Sequence, residues 1–499
     1  MWVTPVSSES ISNKIPARDL LFIAGAVCLV ASIYLLASHL TNGLGFPLDD
    51  SWIHQTYARN FAFRGEWAFR PGIPSAGSTA PLWSALLSIG FLLHLAPYLW
   101  SYVLGAAFLF ALAVTCEWAV RKLLNTYKPR VPWVGIFFAL EWHLVWAGMS
   151  GMETMLHAFL TTLVLAMLMT ETRRYLTLGL LTGLAVWVRP DGLTLAGPVL
   201  FTIVFAERTS KSGVGAVTRY SIGFGSLFVP YLLFNLAVGG VPMPNTFYAK
   251  QAEYVSWQAL PVLERLAQMG LQLLAGPGIA LVPGMLVWLT KSFRQKMWGS
   301  LGAFMWCVSY LALYVSRLPA YQHGRYQIPA LPVLFLFGLL AMADFEERVY
   351  AAAHHRVLRI VSRAAIAMLS LAFVFLGARS YAQDVALINT EMVVTAKWAA
   401  QNLPNDALIA AHDIGALGYF DSHALIDLAG LISPDVIPFI RDERRLAVYL
   451  DQERADYLIA FPDFYPSLIE NSEPVFSTNG PITEVFGKSS MTVYRWKRP

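Results

Sequence analysis

The chain has 499 residues, of which 56% are hydrophobic and only 14% charged, with a mean hydropathy of +0.51. Soluble domains carry about a quarter charged residues, so the solvent for most of this chain is lipid. A dispersed net charge of +4 excludes a nucleic-acid surface. Cys28, Cys116 and Cys307 lie singly in apolar runs, which excludes a disulfide framework and a cysteine metal motif.

Lys14 and Arg18 precede an apolar run over 20–40, long enough to span a bilayer and longer than a signal-peptide core. No small-x-small site follows, so the run is expected to remain as an anchor. Directly after it stand two adjacent carboxylates, Asp49 and Asp50, then Arg59, Arg64, Glu66 and Arg70, then a turn-rich tract from Pro71 to Pro81. A carboxylate at a membrane edge is expensive to keep without a partner or a function. The run Leu82–Leu95 is too short to cross and is expected to lie at the interface. Further spans are expected near 100–120, 131–149, 154–170, 175–188, 193–206, 220–239, 275–290, 298–316, 327–344 and 360–378. With the first, that makes about eleven, of which 175–188 and 193–206 are short enough to form a hairpin reaching part way.

Charge supports this count. With the N-terminus inside, the inner connections hold Lys14/Arg18, Arg121/Lys122/Lys128/Arg130, Arg173/Arg174, Arg208/Lys211/Arg219, Lys291/Arg294/Lys296 and Arg348/Arg356/Arg359. The opposite loops are poorer in Lys and Arg, as the positive-inside rule requires. The chain thus reads as a multi-pass α-helical membrane protein over 1–378, with a first outer loop at 41–99. Residues 379–499 change character: Glu391–Leu403 reads as a helix, and Asp406–His412, Ala424–Leu428, Asp456–Ala460 and Met491–Trp496 read as strands. A small C-terminal α/β domain is expected on the same side of the membrane as Asp49 and Asp50.

The polar groups then collect on one face. They are Asp49, Asp50, His54 and Arg59; Glu153 in Ser150-Gly-Met-Glu-Thr154; Arg189 and Asp191 in Val188-Arg-Pro-Asp-Gly192; Asn245, Tyr248 and Lys250 in Pro244-Asn-Thr-Phe-Tyr-Ala-Lys250; and Arg317, His323 and Arg325 in Ser316–Tyr326. Carboxylates and cations from separate loops suit a single chemistry, in which a base takes a proton from a sugar hydroxyl while cations hold a phosphate leaving group. Each residue also has a plainer reading. The aspartate pair or Glu153 would serve as helix caps, Arg189–Asp191 as an ion pair closing a hairpin, and Lys250 as an interfacial lysine. His323 and Arg325 would be ordinary loop residues, and His54 is structural rather than a metal ligand, since no second ligand has helical spacing to it. Glu117, Glu141 and His143 are expected to pair within the bundle. His412, Asp413 and Asp427 belong to the tail, on its surface by default or facing the site.

The motifs together resemble the GT-C superfamily of polyprenyl-phosphate-sugar-dependent glycosyltransferases, and within it bacterial arabinofuranosyltransferases and mannosyltransferases. The resemblance covers nearly the whole chain. It rests on the acidic pair, Tyr57-Ala-Arg-Asn60, Gly77-Ser-Thr-Ala-Pro-Leu-Trp83, Gly151-Met-Glu-Thr154, Arg189-Pro-Asp-Gly192 and Pro244–Lys250, in that order. One departure is Asp191, where relatives more often carry Glu. The resemblance implies a plasma-membrane enzyme that moves a sugar from a polyprenyl-phosphate donor to an extracytoplasmic glycan, lipid or protein acceptor, with inversion. Asp49 would be the general base, with Asp50 and Glu153 at the same catalytic site. Lys250, Arg325, Arg189, Tyr248, Asn245 and His323 would surround the donor phosphate, and His54, Arg59, Asp191 and Arg317 would line the substrate. No cofactor is specified. A divalent cation would suit the carboxylates, but no complete ligand set is visible. Two rival classes stand beside this one. A flippase of lipid-linked glycans would require internal repeats, and none is evident. A non-catalytic scaffold would not need acids and phosphate-type cations facing one another.

Overall fold

The computed structural model describes residues 15–497 apart from 126, 208–211, 321, 349–352, 471, 481–482 and 484–488. Lys14, Arg208 and Lys211, used above for the charge asymmetry, lie outside the described residues. Among those described, six helical segments are long and apolar enough to cross a membrane: 17–42, 97–123, 213–239, 298–317, 322–345 and 359–402. A pair of helices bent by 101° at 275–277 makes a seventh if taken as one span.

The first span, α1 (Ala17–Asn42), leads into the loop over 43–96. There α2 (Asp50–Arg64) is closed by Gly65 in the left-handed region, φ +68°, where a residue without a Cβ carries no steric penalty. A short hairpin follows, β1 (Ala68–Arg70) with β2 (Ile73–Pro74). Asn60 fastens it to α2 by donating to the Ala68 and Phe69 carbonyls. The run at Leu82–Leu95 becomes α3 (Pro81–Leu92), of 12 residues, and α4 (Pro97–Leu123) is the next helix of membrane-spanning length.

The run 131–149 is a broken helix, α5 (Trp133–Leu140) and α6 (Trp142–Met149). Glu141 is extended at the break, and its carboxylate accepts from the Leu144 amide to cap α6 while pairing with His143 at 2.7 Å. Glu117 likewise pairs with Arg121 at 2.8 Å. The helix α7 (Thr154–Met169) is nearly all buried against other helices, so it does not need the length a lipid-facing span requires. The pair α8 (Tyr175–Val188) and α9 (Ala196–Ala206) is joined by a 3-10 turn, Pro190–Leu195. Short helices therefore account for the difference between six or seven full spans and the expected eleven.

Packing is close where glycines face helices. On α8, a Cβ at Gly179 would lie 2.2 Å from the Tyr220 carbonyl of α10 (Ser212–Gly239). Small residues at such crossings let helix backbones approach without lipid-driven association. Next come α11 (Asn245–Glu253), α12 (Val255–Gln258), then the bent pair α13 (Val262–Leu274) and α14 (Gly278–Gln295), followed by α15 (Trp298–Arg317) and α16 (Leu331–Arg348).

The last span does not stop near 378. It continues as α17 (Ala353–Ile388), a π-helical stretch Asn389–Val393 and α18 (Val394–Asn402), straight into the C-terminal region. There a five-stranded sheet runs in the order β4-β3-β5-β7-β6. Its strands are β3 (Leu408–Ala411), β4 (Ala424–Asp427), β5 (Tyr457–Ala460), β6 (Ser472–Ser477) and β7 (Thr492–Trp496). Strand β3 is parallel to both β4 and β5, whereas β7 is antiparallel to β5 and β6. Strand β6 is an addition to the expected set. It carries Pro474, gives no apolar alternation and is nowhere fully buried, the pattern of an edge strand. Helices α19 (Gly415–Phe420) and α20 (Glu443–Gln452) flank the sheet. The sheet's own core gathers Leu446, Leu450, Leu458 and Trp496.

Candidate active site

The loop after α1 and the C-terminal sheet are fastened together. Arg59 of α2 donates to the Tyr419 and Gly418 carbonyls at 2.7 and 3.1 Å, and Trp52 packs on Tyr419 and Phe420. Asn245 donates to the Leu431 carbonyl at 3.0 Å. Between these fastenings lies a cavity of about 800 Å³.

Eight of the expected residues line it: Asp49, Asp50, His54, Glu153, Arg189, Lys250, His323 and Arg325. Five do not. Arg59 and Asn245 are used in docking, Tyr248 packs against Phe247, and Arg317 is exposed at the end of α15. Asp191 sits behind the wall, held by Arg189 at 2.9 Å and by the Tyr314 hydroxyl. The cavity thus does not bring Arg59, Asp191 and Arg317, expected to line the substrate, or Asn245 and Tyr248, expected near the phosphate, together with the other eight. Sequence spacing could not distinguish a side chain facing the cavity from one a turn away.

The two adjacent aspartates have opposite environments. Asp49 is buried, and its Oδ2 and Oδ1 accept from the Gly415 and Ala416 amides at 2.6 and 2.8 Å. Burial and the nearby Asp413 carboxylate push its pKa up to about 7, against the opposing pull of those amides. Gly415 is needed here: a Cβ would sit 2.0 Å from the Asp49 carbonyl oxygen. Asp50, by contrast, is 42% exposed to the cavity and pairs with Arg325 at 2.6 Å. Burial would raise its pKa, but Arg325 and Lys250 outweigh it and hold Asp50 below the ordinary carboxylate value. One aspartate is poised to exchange a proton near neutrality, and its neighbour is a fixed anion.

Glu153 follows the turn at Gly151, φ +75°. It meets Arg189 at 2.7 Å and His54 at 3.3 Å. Burial opposes its ionisation, yet His54 and Arg189 keep it ionised well below the usual range. Arg189 therefore bridges two carboxylates, Glu153 and Asp191, and its charge is already matched. His54 is held from its other side by Ser84 at 3.0 Å. His323 pairs with Asp384 at 2.7 Å, and Trp146 donates to the same carboxylate.

Tyr326 is a site residue that sequence reasoning missed. Lys250, Arg325 and Arg189 all lie within about 5 Å of its ring, at 4.9, 4.8 and 5.3 Å. Its hydroxyl accepts from Lys250 Nζ at 2.7 Å and from Arg325 Nη2 at 2.9 Å. The only sequence signal was its place beside Arg325. The tail residues His412 and Asp413, whose default was open surface, line the cavity. Asp427 is fully buried and instead accepts the Ala429, Leu431 and Ile432 amides, shaping the turn after β4. Among the described residues, no group of three or more His, Cys, Asp or Glu side chains is arranged to hold a metal ion.

The fold is of the GT-C type, in a multi-pass membrane protein. ArnT from Cupriavidus metallidurans bound to undecaprenyl phosphate superposes with a TM-score of 0.59 at 14% identity, covering 95% of this chain and 97% of that one. Its apo state gives 0.60 at 14% identity, with 96% and 98% covered. The Archaeoglobus fulgidus oligosaccharyltransferase in the apo form gives 0.58 at 10% identity, covering 88% of this chain and 70% of that one. A family model described as "Domain of unknown function (DUF8728)" matches residues 379–494. No curated protein matches the chain in sequence.

Proposed function

We propose that this protein is a membrane glycosyltransferase that takes a pentose or hexose from a polyprenyl phosphate and passes it to an acceptor hydroxyl, with inversion. The reading rests on one observation: a single cavity sets the Asp49–Asp50 pair beside Lys250 and Arg325. A bound undecaprenyl phosphate in a protein of the same fold supports the choice of donor. The charge asymmetry of the loops favours an extracytoplasmic site.

In this reading Lys250 and Arg325, aligned by the Tyr326 hydroxyl, receive the donor phosphate. Arg supplies a planar fork and Lys a point charge. Asp50 holds Arg325 in place. The acceptor hydroxyl gives its proton to Asp49, its oxygen bonds to the sugar's anomeric carbon, and the bond from that carbon to the phosphate oxygen breaks. The electron pair leaves on the phosphate, where the two cations stabilise it. Glu153 and Arg189, backed by Asp191, form the charged wall that supports this geometry.

The test is transfer of radiolabelled sugar from a polyprenyl-phosphate donor in proteoliposomes. General-base catalysis is worth about 10²–10⁴-fold, so Asp49→Asn should lose that much turnover while inserting normally; full activity would remove Asp49 from the role. Lys250→Ala should weaken binding of undecaprenyl phosphate, and an unchanged affinity would count against its phosphate role.

A further inference from the structure

The C-terminal sheet presents its own ligand position to the cavity. Strands β4, β3 and β5 are parallel, with β3 in the middle, so the chain leaves β3 to one side and then crosses to the other. In open α/β sheets ligands bind outside the carboxyl ends of the strands, at the point where the order reverses. Here that point is between β3 and β5. The residues just beyond those two ends, His412 and Asp413 after β3 and Phe461, Asp463 and Phe464 after β5, all line the cavity. The crevice is therefore not a second, separate site; it is the far wall of the cavity that holds Asp49. Two residues link it to the chemistry, since Asp413 is followed by Ile414 and then by the Gly415 and Ala416 amides that hold Asp49.

The chemistry of this wall differs from that of the phosphate wall. Phe464 is 46% exposed and lines the cavity, an aromatic side chain beside the carboxylates of this wall. Glu253 of α11 stands opposite. It pairs with His412 at 3.5 Å and with Arg441 at 3.4 Å. His412 is also fixed by the Tyr465 hydroxyl at 2.7 Å. Arg441 thus already has an acidic partner, while Asp413 and Asp463 add negative charge. Such a wall disfavours an anionic ligand. Carboxylates that accept from hydroxyls, beside an aromatic face for an apolar ring surface, suit a neutral sugar.

We infer that the crevice between β3 and β5 is the acceptor subsite, and that it takes the hydroxyl-rich end of a neutral glycan, ordered by Asp413 and by the face of Phe464. This rests on the transferase reading for its use and deepens it: donor and acceptor are held by different halves of the chain, and Asp49, anchored by both, lies where they meet.

The experiment uses the full-length protein in nanodiscs, with neutral methyl pyranosides and furanosides as sugar probes and undecaprenyl phosphate as lipid probe. Saturation-transfer NMR reads the first and a lipid-binding titration the second. Asp413→Asn and Phe464→Ala should each weaken glycoside binding about tenfold or more, as expected for loss of a hydrogen bond to a charged group or of a stacking face. Both should leave lipid affinity unchanged, and Lys250→Ala should do the reverse. Phe464 is a solvent-facing side chain, so its removal tests the subsite without emptying the core. Absence of glycoside binding to the wild type, or binding to both variants equal to wild type, overturns the inference. Glycoside binding without any lipid binding would keep the sugar crevice and remove the transferase reading.

Discussion

Asp49 is one residue with two attachments: it is covalently part of the membrane half, and its carboxylate is bonded to the C-terminal half. Its raised pKa gives a direct expectation. An acid with a pKa near 7 is protonated, and useless as a base, below that pH, and ionised above it. Turnover should therefore fall about tenfold per pH unit below about 7 and level off above. Asp413→Asn removes a neighbouring negative charge, so the acidic limb should move to lower pH; a pH–rate profile that does not move would detach Asp413 from Asp49. The same shift affects stability. The folded state holds this proton more tightly than the unfolded chain, whose aspartate titrates near 3.8, so Asp49 makes folding less favourable as pH rises from about 4 to 7. Gly415 offers a second test. Gly415→Ala places a methyl against the Asp49 backbone and should abolish transfer while membrane insertion and expression persist. Activity within a few-fold of wild type would show that the two halves tolerate separation there.

Among elements, the short ones carry the site. The turn before α7 supplies Glu153, the extended residue that ends α8 is Arg189, the 3-10 turn after it supplies Asp191, and α15 supplies Tyr314, which closes the group from behind. Removing one member of a buried charge network leaves the others uncompensated, at about 3–5 kcal/mol. Arg189→Ala should accordingly lower thermal stability in detergent far more than Lys250→Ala, whose partner is a tyrosine hydroxyl. Equal melting temperatures would mean that Arg189 is free for the donor phosphate, as the family resemblance implies. The shortness of the helices over 175–206 and of the run after Leu82 was legible from the sequence, because a bilayer sets a minimum length for any crossing. The break at Glu141 and the shortness of α7 were not, because a helix surrounded by protein is released from that minimum.

At the scale of the molecule, the proposed topology requires the outer loop and the C-terminal domain to share one side. Arg64→Cys, Asp406→Cys and Lys128→Cys place thiols at exposed positions in the outer loop, the tail and the connection after α4. In intact cells a membrane-impermeant maleimide should label the first two and spare the third. Labelling of Arg64→Cys and Asp406→Cys from opposite sides would end the proposal.

Composition and apolar run length by themselves determined a lipid-embedded helical chain, period-two alternation pointed to a small α/β tail, and the cost of charge near lipid pointed to Asp49 and Asp50. Those signals are local: a residue's polarity and its distance along the chain from an apolar run can be read without knowing its neighbours. Only the tertiary structure separated the two aspartates, one buried on the Gly415 and Ala416 amides and the other paired with Arg325. It alone showed that Arg59 and Asn245 fasten the halves, and that His412, Asp413 and Tyr326 belong to the cavity. The reason is physical. A pKa, an ion pair and a cavity wall each depend on groups that are hundreds of residues apart in the chain, as Asp49 is from Gly415, and only packing brings them within a few ångströms.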